Sequence, residues 1–155
     1  MNTFKAILTF TVQAVLTFVV LCCIYMLLAL FDSSFGLDGL VGLAFIQPVF
    51  AVLFSLLTLV VCGIAGLPVR LCGKIRRWWI SRIYISLAGV ACGWMLLVLS
   101  VMPAFMETKS ADGGPLTEAV SQTPHPVLAV SGWLLTAFFL LHLFPPPGTL
   151  FNDER

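Results

Sequence analysis

The chain has 155 residues, 60% of them hydrophobic and 10% charged, with a formal net charge of +1 and a mean hydropathy of +1.07. A water-soluble domain carries about a quarter charged residues, so water is not the solvent this composition suits. The same balance excludes a basic nucleic-acid reader and leaves too little polymer outside apolar segments for a separate soluble domain.

Four apolar stretches are predicted as membrane helices, at about 6–30, 40–67, 80–103 and 127–144. Each is near or above the roughly 20 residues that cross about 30 Å of hydrocarbon. Apart from Arg82 at the edge of the third, they contain no Asp, Glu, Lys or Arg. The expected fold is an all-α integral membrane four-helix bundle. Outer loops would lie at 31–39 and 104–126, an inner loop at 68–79 and an inner tail at 145–155.

The first stretch exceeds the apolar length of about 7 to 15 residues found in a cleaved leader, so it is read as a retained helix. Thr9, Gln13 and Thr17 recur on one of its faces at helical spacing. Gln13 would lie about 10 Å from the inner surface, counting 1.5 Å per residue. Gln47, in the second stretch, would lie about 10 Å from the outer one, too distant in depth for the two amides to pair. Each is expected to find a carbonyl or hydroxyl across a helix contact. Pro48 follows Gln47 and predicts a kink in the outer third of the second helix.

Further along the second stretch, Ala51, Ser55, Thr58, Cys62 and Gly66 form a stripe of small residues. In the third, Gly89 and Gly93 make a GxxxG, extended by Ser86 and Ser100. Small residues let two backbones approach in lipid. Ser55, Cys62, Gly66, Ser86, Gly89 and Gly93 are therefore the expected helix-packing or oligomer face.

Between these stretches the basic residues concentrate. Arg70, Lys74, Arg76, Arg77 and Arg82 are five of the 8 Lys and Arg, and no acidic residue lies between Asp38 and Glu107. Positive charge beside short loops stays on the cytoplasmic side, so both termini are expected inside. Trp78 and Trp79 interleave with the cations. Such a segment suits the inner interface and offers contact to an anionic lipid or a partner.

The outer loop 104–126 is rich in Gly, Pro, Ser and Thr and is read as disordered or as holding a short helix near Leu116 to Ser121. Three prolines, Pro145 to Pro147, end the fourth helix.

Cys22, Cys23, Cys62, Cys72 and Cys92 include no CxxC and none in an outer loop, which argues against a disulfide framework or a membrane oxidoreductase. His125 and His142 sit at opposite ends of the fourth helix and cannot share one metal or haem. Both are read as exposed interfacial residues. No catalytic residue, cofactor or metal site is assigned. Lack of ionisable groups within the spans argues against proton-coupled transport.

The function that fits is noncatalytic. The chain is expected to bind another membrane protein or itself, as an accessory subunit of an inner-membrane assembly or an immunity factor against a membrane-acting toxin. The alternative is a small oligomeric channel or transporter with its path between subunits.

Overall fold

The computed structural model describes residues 3–31, 42–110 and 120–143. The outer connection at 32–39, the loop centre at 111–119 and the tail at 145–155 lie outside these residues. Helix α1 runs Thr3–Leu30, 28 residues with no Gly or Pro to interrupt them. At 1.5 Å per residue it is about 42 Å long.

A π-helical turn, Gly42–Ile46, leads into α2, Gln47–Ala65. At Pro48, where a kink was expected, the helix type changes from π to α. Pro48 falls in the first turn of α2, directly after the π-helical residues, where it has no N–H to offer the carbonyls of the preceding turn.

Gly66, with φ −87° and ψ 0°, ends α2. Two short helices follow, α3 at Leu67–Leu71 and α4 at Gly73–Ser81. They are separated by Cys72 in an extended conformation, with φ −87° and ψ 109°. Arg82 then breaks the helix before α5, Ile83–Ser100. An antiparallel pair, β1 at Glu107–Ser110 and β2 at Val120–Thr123, joins α5 to α6, Pro126–Leu141. Val120 and Ser121 thus belong to a strand, where a short helix was one expectation.

The simple four-helix bundle is overturned. The described residues hold six α-helices and the π turn. Three helical segments are long and apolar enough to cross a membrane: Ile7–Leu30, Ala44–Ala65 and Ile83–Ser100. Two physical facts separate this from the expectation. The basic connection at 68–79 is not a loop, because its amphipathic spacing forms α3 and α4. The fourth apolar helix has 16 residues, about 24 Å and short of the roughly 30 Å core.

That shortest apolar helix is nevertheless the hub. α6 touches α1, α2 and α5, and its most extensive contact is with α5. Its start is tied to the end of α5 by the His125 N–H donating to the Ser100 carbonyl at 2.9 Å. Its far end returns to the basic segment. Leu21, Cys62, Ala137 and Leu141 form the buried centre, ringed by Phe10, Ala14, Leu59, Trp133 and Phe138.

The polarity is that of a protein built for lipid. Large apolar side chains such as Val12, Leu16, Val49, Leu57 and Met95 point outward. Small polar residues are buried beside the apolar centre: Thr17, Ser55, Ser86, Ser100 and Thr136 are all inside. In hydrocarbon nothing is gained by hiding Leu, so close approach of small residues and interhelical hydrogen bonds hold the helices together.

Candidate functional site

The α5–α6 contact is closest where two glycines meet. A Cβ on Gly132 would stand 2.7 Å from the Gly93 carbonyl oxygen and 2.9 Å from the Leu97 backbone nitrogen. A Cβ on Gly89 would enter the Phe139 ring. The small face of α5 is therefore covered by α6 within the chain.

The stripe on α2 faces α1 and α6 rather than α5. Ser55 accepts from the Cys22 thiol of α1 at 3.5 Å, and Thr58 accepts from the Trp133 indole N–H of α6 at 2.9 Å. Cys62 lies in the central cluster. Gly66 lies under the His142 ring. Sequence inspection missed Gly132, although its spacing to Thr136 repeats the small-xxx-small signal seen in α5.

The two intramembrane amides differ in their surroundings. Gln47 accepts a hydrogen bond from the Tyr25 hydroxyl at 2.9 Å, joining α2 to α1. Tyr25 also meets Trp133 edge-on at 6.2 Å between ring centroids. Tyr25→Phe is expected to lower stability by about 0.6 kcal/mol, the mean for such bonds in membranes. Reversible unfolding in mixed micelles would measure it, and an unchanged midpoint would remove the bond from the stabilising set.

Gln13 is 8% exposed, and neither its amide nitrogen nor its amide oxygen has a partner. Its backbone carbonyl accepts from Thr17 Oγ1 at 2.7 Å, which leaves the amide itself unsatisfied. Gln13 lines a lateral groove of about 400 Å³. Leu8, Val12 and Leu16 of α1 form one wall, and Leu140 and Leu143 at the end of α6 form the other. A second groove of about 350 Å³ involves Tyr25, Phe54, Thr58 and Trp133. The polar side-chain atoms there are already paired.

At the basic end a tight knot forms. Trp79 donates its indole N–H to the His142 carbonyl at 2.9 Å and stacks on Phe139 at 5.9 Å. Arg70 donates to the Leu141 carbonyl at 3.4 Å, with its guanidinium 4.3 Å from the Phe10 ring centroid. Lys74, Arg77, Trp78 and Arg82 stay exposed, while Arg76 is half-buried. Arg82 lies over the Trp78 ring at 5.3 Å.

His142 is 0% exposed, which corrects the expectation of an exposed interfacial residue. The reason is the folding of 67–81 into helices: Trp79 of α4 and Gly66 roof the end of α6. His142 Nδ1 lies 2.8 Å from the Phe138 carbonyl, which assigns the proton to Nδ1 and leaves Nε2 a buried acceptor without a partner. Burial pushes the imidazole below its ordinary value. The Phe138 hydrogen bond opposes this shift, and the Arg70 charge adds to it. His125, at the opposite end, has Nε2 3.9 Å from Glu107 Oε1.

Among the described residues no group of three His, Cys, Asp or Glu side chains could hold a metal ion. The chain matches no known protein family, curated protein or solved structure. The fold defines its class directly, as a multi-span α-helical protein with membrane-spanning character.

Proposed function

We propose that the protein is a noncatalytic membrane component that acts by binding another membrane protein. It serves as an accessory subunit of a larger assembly or as an immunity factor against a membrane-acting toxin. Its location is a bacterial cytoplasmic membrane, with the cationic α3 and α4 at the cytoplasmic face in accord with the retention of positive charge there.

The Gln13 groove supports this reading. A buried amide with no partner is costly, and the cost is removed when another molecule completes its hydrogen bonds. Leu8, Val12 and Leu16 recur at every fourth position, a ridge beside which the ridge of a second helix packs. The amide both gives and accepts hydrogen bonds, so it suits a transmembrane helix bearing a hydroxyl or amide side chain.

Gln13→Leu is the decisive variant. It should weaken partner association about threefold or more, given about 0.6 kcal/mol per interhelical bond. The isolated protein should unfold no more easily than before, because the change removes an unpaired polar group. Photocrosslinking from positions 12 and 16 in native membranes, with unfolding of the purified variant alongside, tests both. Unchanged crosslinking in the Gln13→Leu protein would sink the proposal. Solute flux through reconstituted protein, abolished by the same variant, would favour a channel between copies.

A further inference from the structure

Arg70 is a half-buried cation without a counter-ion among the described residues. One of its N–H groups reaches the Leu141 carbonyl, the guanidinium faces the Phe10 ring, and its buried Nε–H has no partner. A guanidinium has five N–H donors, so most of this hydrogen-bonding capacity is unspent. The described acid nearest in sequence, Glu107, sits beside His125 at the opposite end of the bundle. No Asp or Glu occurs between Asp38 and Glu107 at all. Removing a guanidinium from water is expensive unless an anion meets it.

The neighbouring helix indicates where that anion comes from. No residue of α4 is buried, and Ile75, Trp78 and Ile80 are 40%, 47% and 52% exposed. Lys74 and Arg77 are exposed on the same short helix. Apolar and indole groups beside long cationic stems place such a helix in the interface, at the depth of phospholipid phosphates. The guanidinium fork matches two phosphate oxygens, and partial burial protects the pair from screening by salt.

We propose that Arg70 anchors a binding site for the phosphate of an anionic phospholipid headgroup, with Lys74 and Arg77 adding to the attraction. The residues that Arg70 meets, Leu141 and Phe10, are not among those lining the Gln13 groove, and the site stands whether or not a protein partner is found.

The test uses the full chain in neutral detergent micelles, titrated with phosphatidylglycerol or phosphatidylcholine. Native mass spectrometry reads retained lipid, and thermal unfolding reads stabilisation. Phosphatidylglycerol should be retained preferentially and should raise the unfolding midpoint. Arg70→Gln should weaken its binding about tenfold, as expected for loss of charge-assisted hydrogen bonds. Arg82→Gln, which changes an exposed cation already facing Trp78, should weaken it less. Arg70→Lys should fall between wild type and Arg70→Gln, since it keeps the charge but loses the fork; this variant carries the test if Arg70→Gln does not fold.

Equal retention of the two lipids, or unchanged affinity in a folded Arg70 variant, overturns the proposal. Stabilisation by inorganic phosphate equal to that by phosphatidylglycerol also overturns it, by making the ligand a free anion. So does loss of the Arg70 effect on combining Asp153→Asn with Glu154→Gln, which would make the occupant the chain's own carboxylates.

Discussion

Gly132→Ala should lower the stability of the purified protein by about 1–3 kcal/mol, the usual penalty for overpacking a close contact. The added methyl meets the Gly93 carbonyl oxygen at 2.7 Å and the Leu97 backbone nitrogen at 2.9 Å. Neither atom belongs to a side chain that could rotate aside, so α5 and α6 must separate. That movement loosens the most extensive helix contact and, through α6, the neighbouring packing against α1 and α2. Gly63→Ala is the matched control, because nothing lies within 4 Å of its new Cβ. Alanine is the better helix former by up to about 1 kcal/mol, so the control should be neutral or slightly stabilising. Unfolding of both variants by SDS in mixed micelles measures the difference. Equal midpoints would refute the backbone contact.

Acid should lower the stability of the protein through His142. Its imidazole is pushed down chiefly by burial, so the folded state resists a proton that the unfolded state accepts. Above about 6.5, the ordinary histidine value, both states are largely neutral and the group leaves stability unchanged. As pH falls below that value the unfolded chain is charged first, and stability declines until pH passes the lowered folded value. Arg70 opposes the incoming proton, and the Phe138 carbonyl favours it without offsetting burial. Stability measured between pH 8 and 5 should therefore decline in wild type and flatten in His142→Gln. Gly66→Ala provides an independent route: its methyl overlaps the ring and must displace it from its buried seat. His125→Asn, at the opposite end, should leave the His142-dependent decline in place. Persistence of the same decline in His142→Gln would exclude this origin.

Much of the helical framework was legible because crossing hydrocarbon imposes length and apolarity on a continuous stretch. Ile7–Leu30, Ala44–Ala65 and Ile83–Ser100 carry that signal. The fourth stretch carries the same apolarity, but its helix ends at Leu141. Hydropathy continues past the point where the backbone turns, so it overstates the helix. Residues 67–81 posed the reverse problem. Gly66, Pro68 and Gly73 punctuate them as a connector, and five- and nine-residue helices give too few turns for periodicity to outweigh that punctuation.

The candidate sites were legible only as separate residues. Gly89 and Gly93 announce a face that another helix can approach, but spacing does not say which helix arrives. His142 reads as interfacial until Trp79 and Gly66 are brought over it by a turn between distant segments. Gln13 and Gln47 have the same chemistry, and only the third dimension places a tyrosine hydroxyl beside one and an open groove beside the other.

The hub position of α6 bears on biogenesis. A ribosome delivers residues 126–141 after all three longer spans, so the contacts that unite them span long stretches of chain, as between Thr58 and Trp133. Until α6 arrives, Gly93, Thr58 and Cys62 lack their eventual neighbours and face lipid or one another. Insertion and assembly are consequently distinct events: α1 and α2 share contacts of their own and can pair as they insert, whereas α5 is joined to them through α6 once it arrives.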